Sequence, residues 1–139
     1  MKTLFLLISA TLIFTGCATT PMPFEKARPA PSDRVMAYQK TSAHSATITV
    51  SRDEGFAGSA CYFGVYINQI LAARLGPGER AKFFIEPGMM ILRGGTDPFG
   101  NGLCAGERPR FPEPEIAIRA GEIASFRMIG IIIVRAENN

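Results

Sequence analysis

The chain has 139 residues, with 15 Lys and Arg against 12 Asp and Glu and a formal charge of +3, which is room for one domain. So small a charge, with no run of four basic residues, gives no reason to expect a nucleic-acid partner. The single histidine leaves no ready acid–base pair, so neither catalysis nor a cofactor is expected.

The first element is a leader. Lys2 is followed by an apolar run from Leu4 to Phe14, broken only by Ser9 and Thr11. One positive charge and then an h-region of about 7–15 residues describe a secretory signal peptide. The run is shorter than the about 20 apolar residues that span a bilayer. Phe14-Thr15-Gly16-Cys17 then resembles the lipobox of bacterial lipoproteins, with Phe14 where Leu is usual. The resemblance implies cleavage after Gly16, lipidation of Cys17 and a membrane partner through that lipid. Ala18 after the cysteine implies the outer membrane, with the domain facing the periplasm. The alternative is ordinary cleavage after Ala18, where Gly16 and Ala18 meet the small-residue rule.

Residues 17–33 come next. Four prolines lie between Ala18 and Ser32, and proline favours extended, unpaired backbone. This segment is expected to be a semi-rigid tether, holding the domain up to roughly 45 Å from the lipid at about 3.1 Å per residue. The other arrangement open to it is packing along the domain through Phe24.

From residue 34 to 139 the dominant period is two. Ala46, Ile48 and Val50 alternate with Thr47, Thr49 and Ser51. Cys61, Phe63, Val65 and Ile67 alternate with Tyr62, Gly64, Tyr66 and Asn68. Ala81, Phe83 and Ile85 alternate with Arg80, Lys82 and Glu86. Such alternation sets one face on a core and the other toward water. Strands are expected near 34–40, 45–51, 61–68, 70–75, 80–86, 89–94, 114–119 and 122–135, the last divisible in two. Asn68-Gln69, Gly76-Pro77-Gly78, Pro87-Gly88 and Ala120-Gly121 supply turns. The fold class is all-β, a small antiparallel β-sandwich of about 7–8 strands.

Between Gly94 and Pro114 the alternation stops, in a stretch with five glycines and four prolines. Unstructured loops of this length inside small domains are uncommon and usually mean function or disorder. Cys104 lies in its middle. With Cys17 lipidated, Cys61 and Cys104 remain as a pair in a compartment that favours disulfides. A bridge between them would close a loop worth up to about 4 kcal/mol. Zinc would want more ligands at close spacing, and a catalytic thiol a nearby base.

Three segments carry a family resemblance: Ala46 to Arg52, Gly58 to Cys61 leading into Val65 to Asn68, and Ile85 to Gly88. Together they resemble a family of uncharacterised bacterial envelope lipoproteins with a PEGA-like β domain. The resemblance spans roughly Arg34 to Arg135. It implies a fold and no activity. Asn68-Gln69 stands where Asp-Gly is commoner, and Met89-Met90 where a polar residue and His are frequent.

Residues that could do chemistry are few. His44 sits between Ala43 and Ser45 in an expected turn. Asp53-Glu54 and Glu113-x-Glu115 are carboxylate pairs beside Gly or Pro. Asp97 and Asn101 are too few for a calcium loop, and no metal is expected. The candidates are therefore surfaces. Tyr62, Tyr66 and Phe84 fall on the outer face of the strand pattern, either as a binding patch or beneath a further layer. In the pinned loop, Phe99, Leu103 and Phe111 are the expected apolar contacts to a partner, with Arg108 and Arg110 at the rim. The expected function is a non-catalytic structural or protein-interaction module contacting an unknown envelope protein. The alternative is an inhibitor or small-ligand binder that uses the 94–114 loop.

Overall fold

A computed structural model describes residues 19–55, 58–106 and 115–136. The runs of alternating residues become strands that stack as two sheets. In the first, β1 (Arg28–Pro29), β5 (Glu79–Ile85), β2 (Ala46–Arg52), β8 (Ile123–Ile129) and β9 (Ile132–Arg135) lie side by side in that order. In the second the order is β4 (Ile70–Leu75), β3 (Phe63–Ile67), β6 (Gly88–Thr96) and β7 (Glu115–Ile118). This is the small β-sandwich expected. Its pairs are antiparallel except β1 with β5 and β2 with β8. Parallel neighbours need a long crossover, and for β2 and β8 all four strands of the second sheet lie in that crossover.

The core forms where the alternation said it would. Ile48, Val50, Val65, Ile67, Leu75 and Phe83 are fully buried between the sheets, with Leu92, Phe126 and Met128 around them. At roughly 25 cal/mol per Å² of apolar surface removed from water, these side chains supply the main drive to fold. The hairpin β3–β4 turns at Asn68 and Gln69, with φ of 48° and 68°. That pair of left-handed residues matches the twist of the flanking strands.

Three expectations change. The strand near 34–40 is absent. Ser32–Arg34 form a single 3-10 turn, and Tyr38 takes φ 60°, which an extended strand cannot contain. The segment instead straps the edges of both sheets: Met36 N–H donates to the Ala72 carbonyl at 2.8 Å, and Phe84 N–H to the Tyr38 carbonyl at 2.8 Å. It thereby covers edge backbone that would otherwise be free to pair.

The second change is in the glycine-rich loop, which begins later than expected because β6 runs on to Thr96. Gly94 and Gly95 belong to this strand because neighbours press on it. A Cβ on Gly94 would collide with the Ile131 carbonyl, and one on Gly95 would stand 2.9 Å from the Tyr66 ring. The third change concerns residues 19–33, which do not stand off the domain. Thr20 and Glu54 exchange backbone hydrogen bonds at 2.6 and 3.1 Å. Met22 N–H donates to Asp53 Oδ1 at 2.9 Å, and Ser51 Oγ donates to the Met22 carbonyl at 2.7 Å. Phe24 lies under the Arg80 guanidinium, 4.5 Å from ring centroid to Cζ. Arg28–Pro29 then pair with β5 as a parallel strand. The proline-rich segment thus packs along the first sheet, and this explains why the outward-facing Ser51 is only 1% exposed.

Candidate functional site: the disulfide end of the sandwich

The C-terminal ends of β2, β4, β6 and β8 and the start of β3 meet at one end of the sandwich. Cys61, just before β3, is bonded to Cys104 in the 3-10 turn Gly102–Cys104, with the Cα atoms 5.4 Å apart. The expected disulfide is present, and it holds the loop after β6 against the sheet.

Around it, arginines bridge segments that no turn connects. Arg52, 2% exposed, donates to the carbonyls of Cys61 at 2.6 Å, Leu75 at 2.7 Å and Gly58 at 2.7 Å. Its guanidinium also lies 4.0 Å over the Phe63 ring. Burial pulls this guanidinium down to about 10, partly offset by the Glu79 charge, so it stays protonated at neutral pH. Arg34 makes a bidentate pair with Glu79 at 2.6 and 2.7 Å. Arg74 makes another with Asp97, at 2.8 and 2.6 Å. Both guanidiniums face the Tyr62 ring, at 4.2 and 5.3 Å, and Arg74 also faces Phe99 at 5.0 Å. The result is a stack of rings and cations tied at its back to two carboxylates. Such contacts are worth about 0.5–2 kcal/mol each, more when desolvated.

Electrostatics commit these carboxylates to structure. Burial would push the Glu79 carboxyl up, but the Arg34 guanidinium and the Gly76 N–H hold it below its ordinary value. Asp97 is likewise held low against burial, by Arg74 and the Phe99 N–H. Hydrogen bonding raises Arg34 and Arg74 in return. Both oxygens of Asp97 are therefore taken, which removes it from any calcium site with Asn101. The Asp53–Glu54 pair is also divided. Asp53 binds Arg127 bidentately at 3.1 and 2.5 Å, while Glu54 bridges Thr20. His44 is exposed in its turn. Among the described residues no group of three His, Cys, Asp or Glu could hold a metal ion, and no helix is long and apolar enough to cross a membrane.

Of the surface residues singled out from the sequence, Phe99 and Leu103 lie at this end, 66% and 100% exposed, with Tyr62 at 41%. Arg108, Arg110, Phe111 and the lipidation candidate Cys17 lie outside the described residues. Tyr66 is half-buried, its ring 4.2 Å below the Arg93 guanidinium and its hydroxyl donating to the Thr96 carbonyl at 3.0 Å. Phe84 is half-buried on the first sheet. Tyr62 is thus the one of the three that joins an exposed patch. Arg34, Arg52, Arg74 and Glu79 were not foreseen. Glu79 had a weak local signal, standing three residues after Gly76, whose N–H it accepts at 2.6 Å. The arginine partners had none. An open cleft of about 840 Å³ lies between Pro21–Glu25 and β8. Of its charged lining, Arg127 is already paired with Asp53 and Arg135 with Glu122. Searches of family models, curated proteins and solved structures gave no match to this chain.

Proposed function

We propose that this chain is a membrane-anchored envelope lipoprotein whose β-sandwich performs no chemistry and works as a structural or protein-interaction module. The observation that carries the reading is the disulfide end. There, Tyr62, Phe99 and Leu103 are exposed on a frame made rigid by the Cys61–Cys104 bridge and two bidentate arginine pairs. Presetting a surface in this way lowers the ordering cost of a contact. The two carboxylates at this end, Glu79 and Asp97, are held ionised by those pairs. A bridged cysteine pair suits an oxidising compartment, in keeping with the leader, the lipobox and the pattern shared with PEGA-like envelope lipoproteins. Attachment is at Cys17, and Ala18 favours the outer membrane and a periplasmic domain.

Replacing Cys17 by Ser tests the anchor. The variant accumulates as a larger precursor, and no lipid-modified form reaches the membrane. A variant that matures and fractionates like the wild type sinks the reading. Chemical cross-linking in intact envelopes tests the module: a stoichiometric envelope partner is expected, whereas capture of a soluble hydrolase would turn the assignment toward an inhibitor.

A further inference from the structure

We propose that the disulfide end of the sandwich rests on the bilayer that holds the lipid anchor, with Phe99 and Leu103 dipping into the headgroup region. The proposal rests on the lipidation of Cys17 set out above; it assigns the exposed apolar side chains of this end to lipid, so that a protein partner meets the rest of the sandwich.

Three observations lead there. Thr20 is paired with Glu54, immediately beyond the end of β2. Cys17 precedes Thr20 by three residues, and at no more than about 3.6 Å per residue the lipid attachment point lies within roughly 11 Å of that bridge. The packed segment removes the long spacer, so whichever end of the sandwich carries Thr20 must lie close to the membrane.

The second observation is that the disulfide turn belongs to the same end. Gly78 N–H donates to the Arg52 carbonyl at 3.0 Å, and Asp53 N–H to the Met128 carbonyl at 2.9 Å. Arg52 in turn holds Cys61, which holds Cys104. The contacts run unbroken from Thr20 to Leu103. Third, large apolar side chains are exposed here on fixed backbone: Leu103 at 100%, Phe99 at 66% and Ile132, beyond the β8–β9 turn, at 51%. A fully exposed leucine one residue from a disulfide has no role in this core. It suits the boundary between headgroups and acyl chains, where apolar anchors sit about 5–10 Å deep. The lipid supplies attachment, and these side chains set orientation, turning His44 and the Asn68–Gln69 hairpin away from the membrane.

The chain contains no tryptophan, so a single introduced indole reports its own position. Phe99→Trp, Leu103→Trp and, at the opposite end, the 73% exposed Ile123→Trp are purified as lipidated full-length proteins. They are placed in phosphatidylethanolamine–phosphatidylglycerol vesicles with or without brominated acyl chains. F99W and L103W are expected to be blue-shifted and to be quenched by bromine, as side chains seated about 5–10 Å deep at the interface should be, while I123W is unchanged. L103W keeps the test independent of the Phe99–Arg74 stack. No quenching at either loop position, or equal quenching at all three, overturns the proposal. Mass analysis of the N-terminal peptide separates the two layers. An unmodified Cys17 removes the anchor and this inference together, whereas lipidated protein without quenching removes this inference alone.

Discussion

At the end of the sandwich where β2 finishes, closure is made by arginines drawn into the fold and by a disulfide. Arg34 reaches Glu79, Arg74 reaches Asp97, Arg52 holds Gly58, Cys61 and Leu75, and Cys61 is bonded to Cys104. At the opposite end, closure is made by tight turns and by solvent-exposed hydrogen bonds. Asn68 and Gln69 turn β3 into β4, with Asn68 Oδ1 accepting the Ile91 N–H at 2.9 Å. Ser42 and Ser45 share the Glu86 carboxylate, and Ala120-Gly121 leads into β8. The contrast separates two kinds of stability: loss of a buried bridge unties several segments at once, whereas change in an exposed turn alters one hairpin.

The largest effect is expected at Glu79. Replacement by Ala leaves Arg34 buried without its carboxylate, which costs about 3–5 kcal/mol and should appear as a large drop in the urea midpoint. A loss under 1 kcal/mol, far below about 3 kcal/mol, would show that the far end holds the fold instead. The same pair sets an acid limb. Glu79 and Asp97 are held below their ordinary values, so their contribution is complete above the unfolded carboxylate values of about 4. It is lost as the pH falls through their lower folded values. Denaturation midpoints measured across acid pH should show that limb, and E79A should be less steep along it.

Removing the disulfide as the double variant Cys61→Ser, Cys104→Ser is expected to cost about 2–4 kcal/mol, with the core strands intact. If the bridge organises the end only locally, amide exchange will rise most around residues 96–106, while β2 and β5 show only the loss shared by the whole fold. The smallest change is expected at the other end. Gln69 holds φ 68°, which suits glycine better. Gln69→Gly should therefore shift stability by less than about 1 kcal/mol and leave the near end untouched.

The same division explains how much could be read in advance. Period-two alternation placed the core faces of β2, β3 and β5, and the turn residues placed their limits, because both signals are local. The disulfide followed from counting cysteines once Cys17 was set aside. The arginine bridges were not legible, since Arg34 or Arg74 on a nominally outer position looks like any solvated charge until the partner strand is known. The proline-rich segment misled for a related reason. Proline removes N–H donors, but the amides of Thr20, Met22 and Arg28 remained free to bond Glu54, Asp53 and Gly78. The strand expected at 34–40 failed at Tyr38, whose left-handed backbone carries no mark in its residue type.

The proposed seat on the membrane depends most on the N-terminal segment being part of the domain, because this would set how close the sandwich lies to a lipid on Cys17. Hydrogen exchange on the mature protein reads that directly. The amides of Thr20, Met22 and Arg28 should be protected alongside those of β5. Asp53→Asn, which weakens both the Met22 and Arg127 contacts, should release Thr20 and Met22 while leaving β5 protected. Exchange of all three amides at free-peptide rates in the wild-type protein would contradict this packing and put a long spacer between the domain and the proposed anchor.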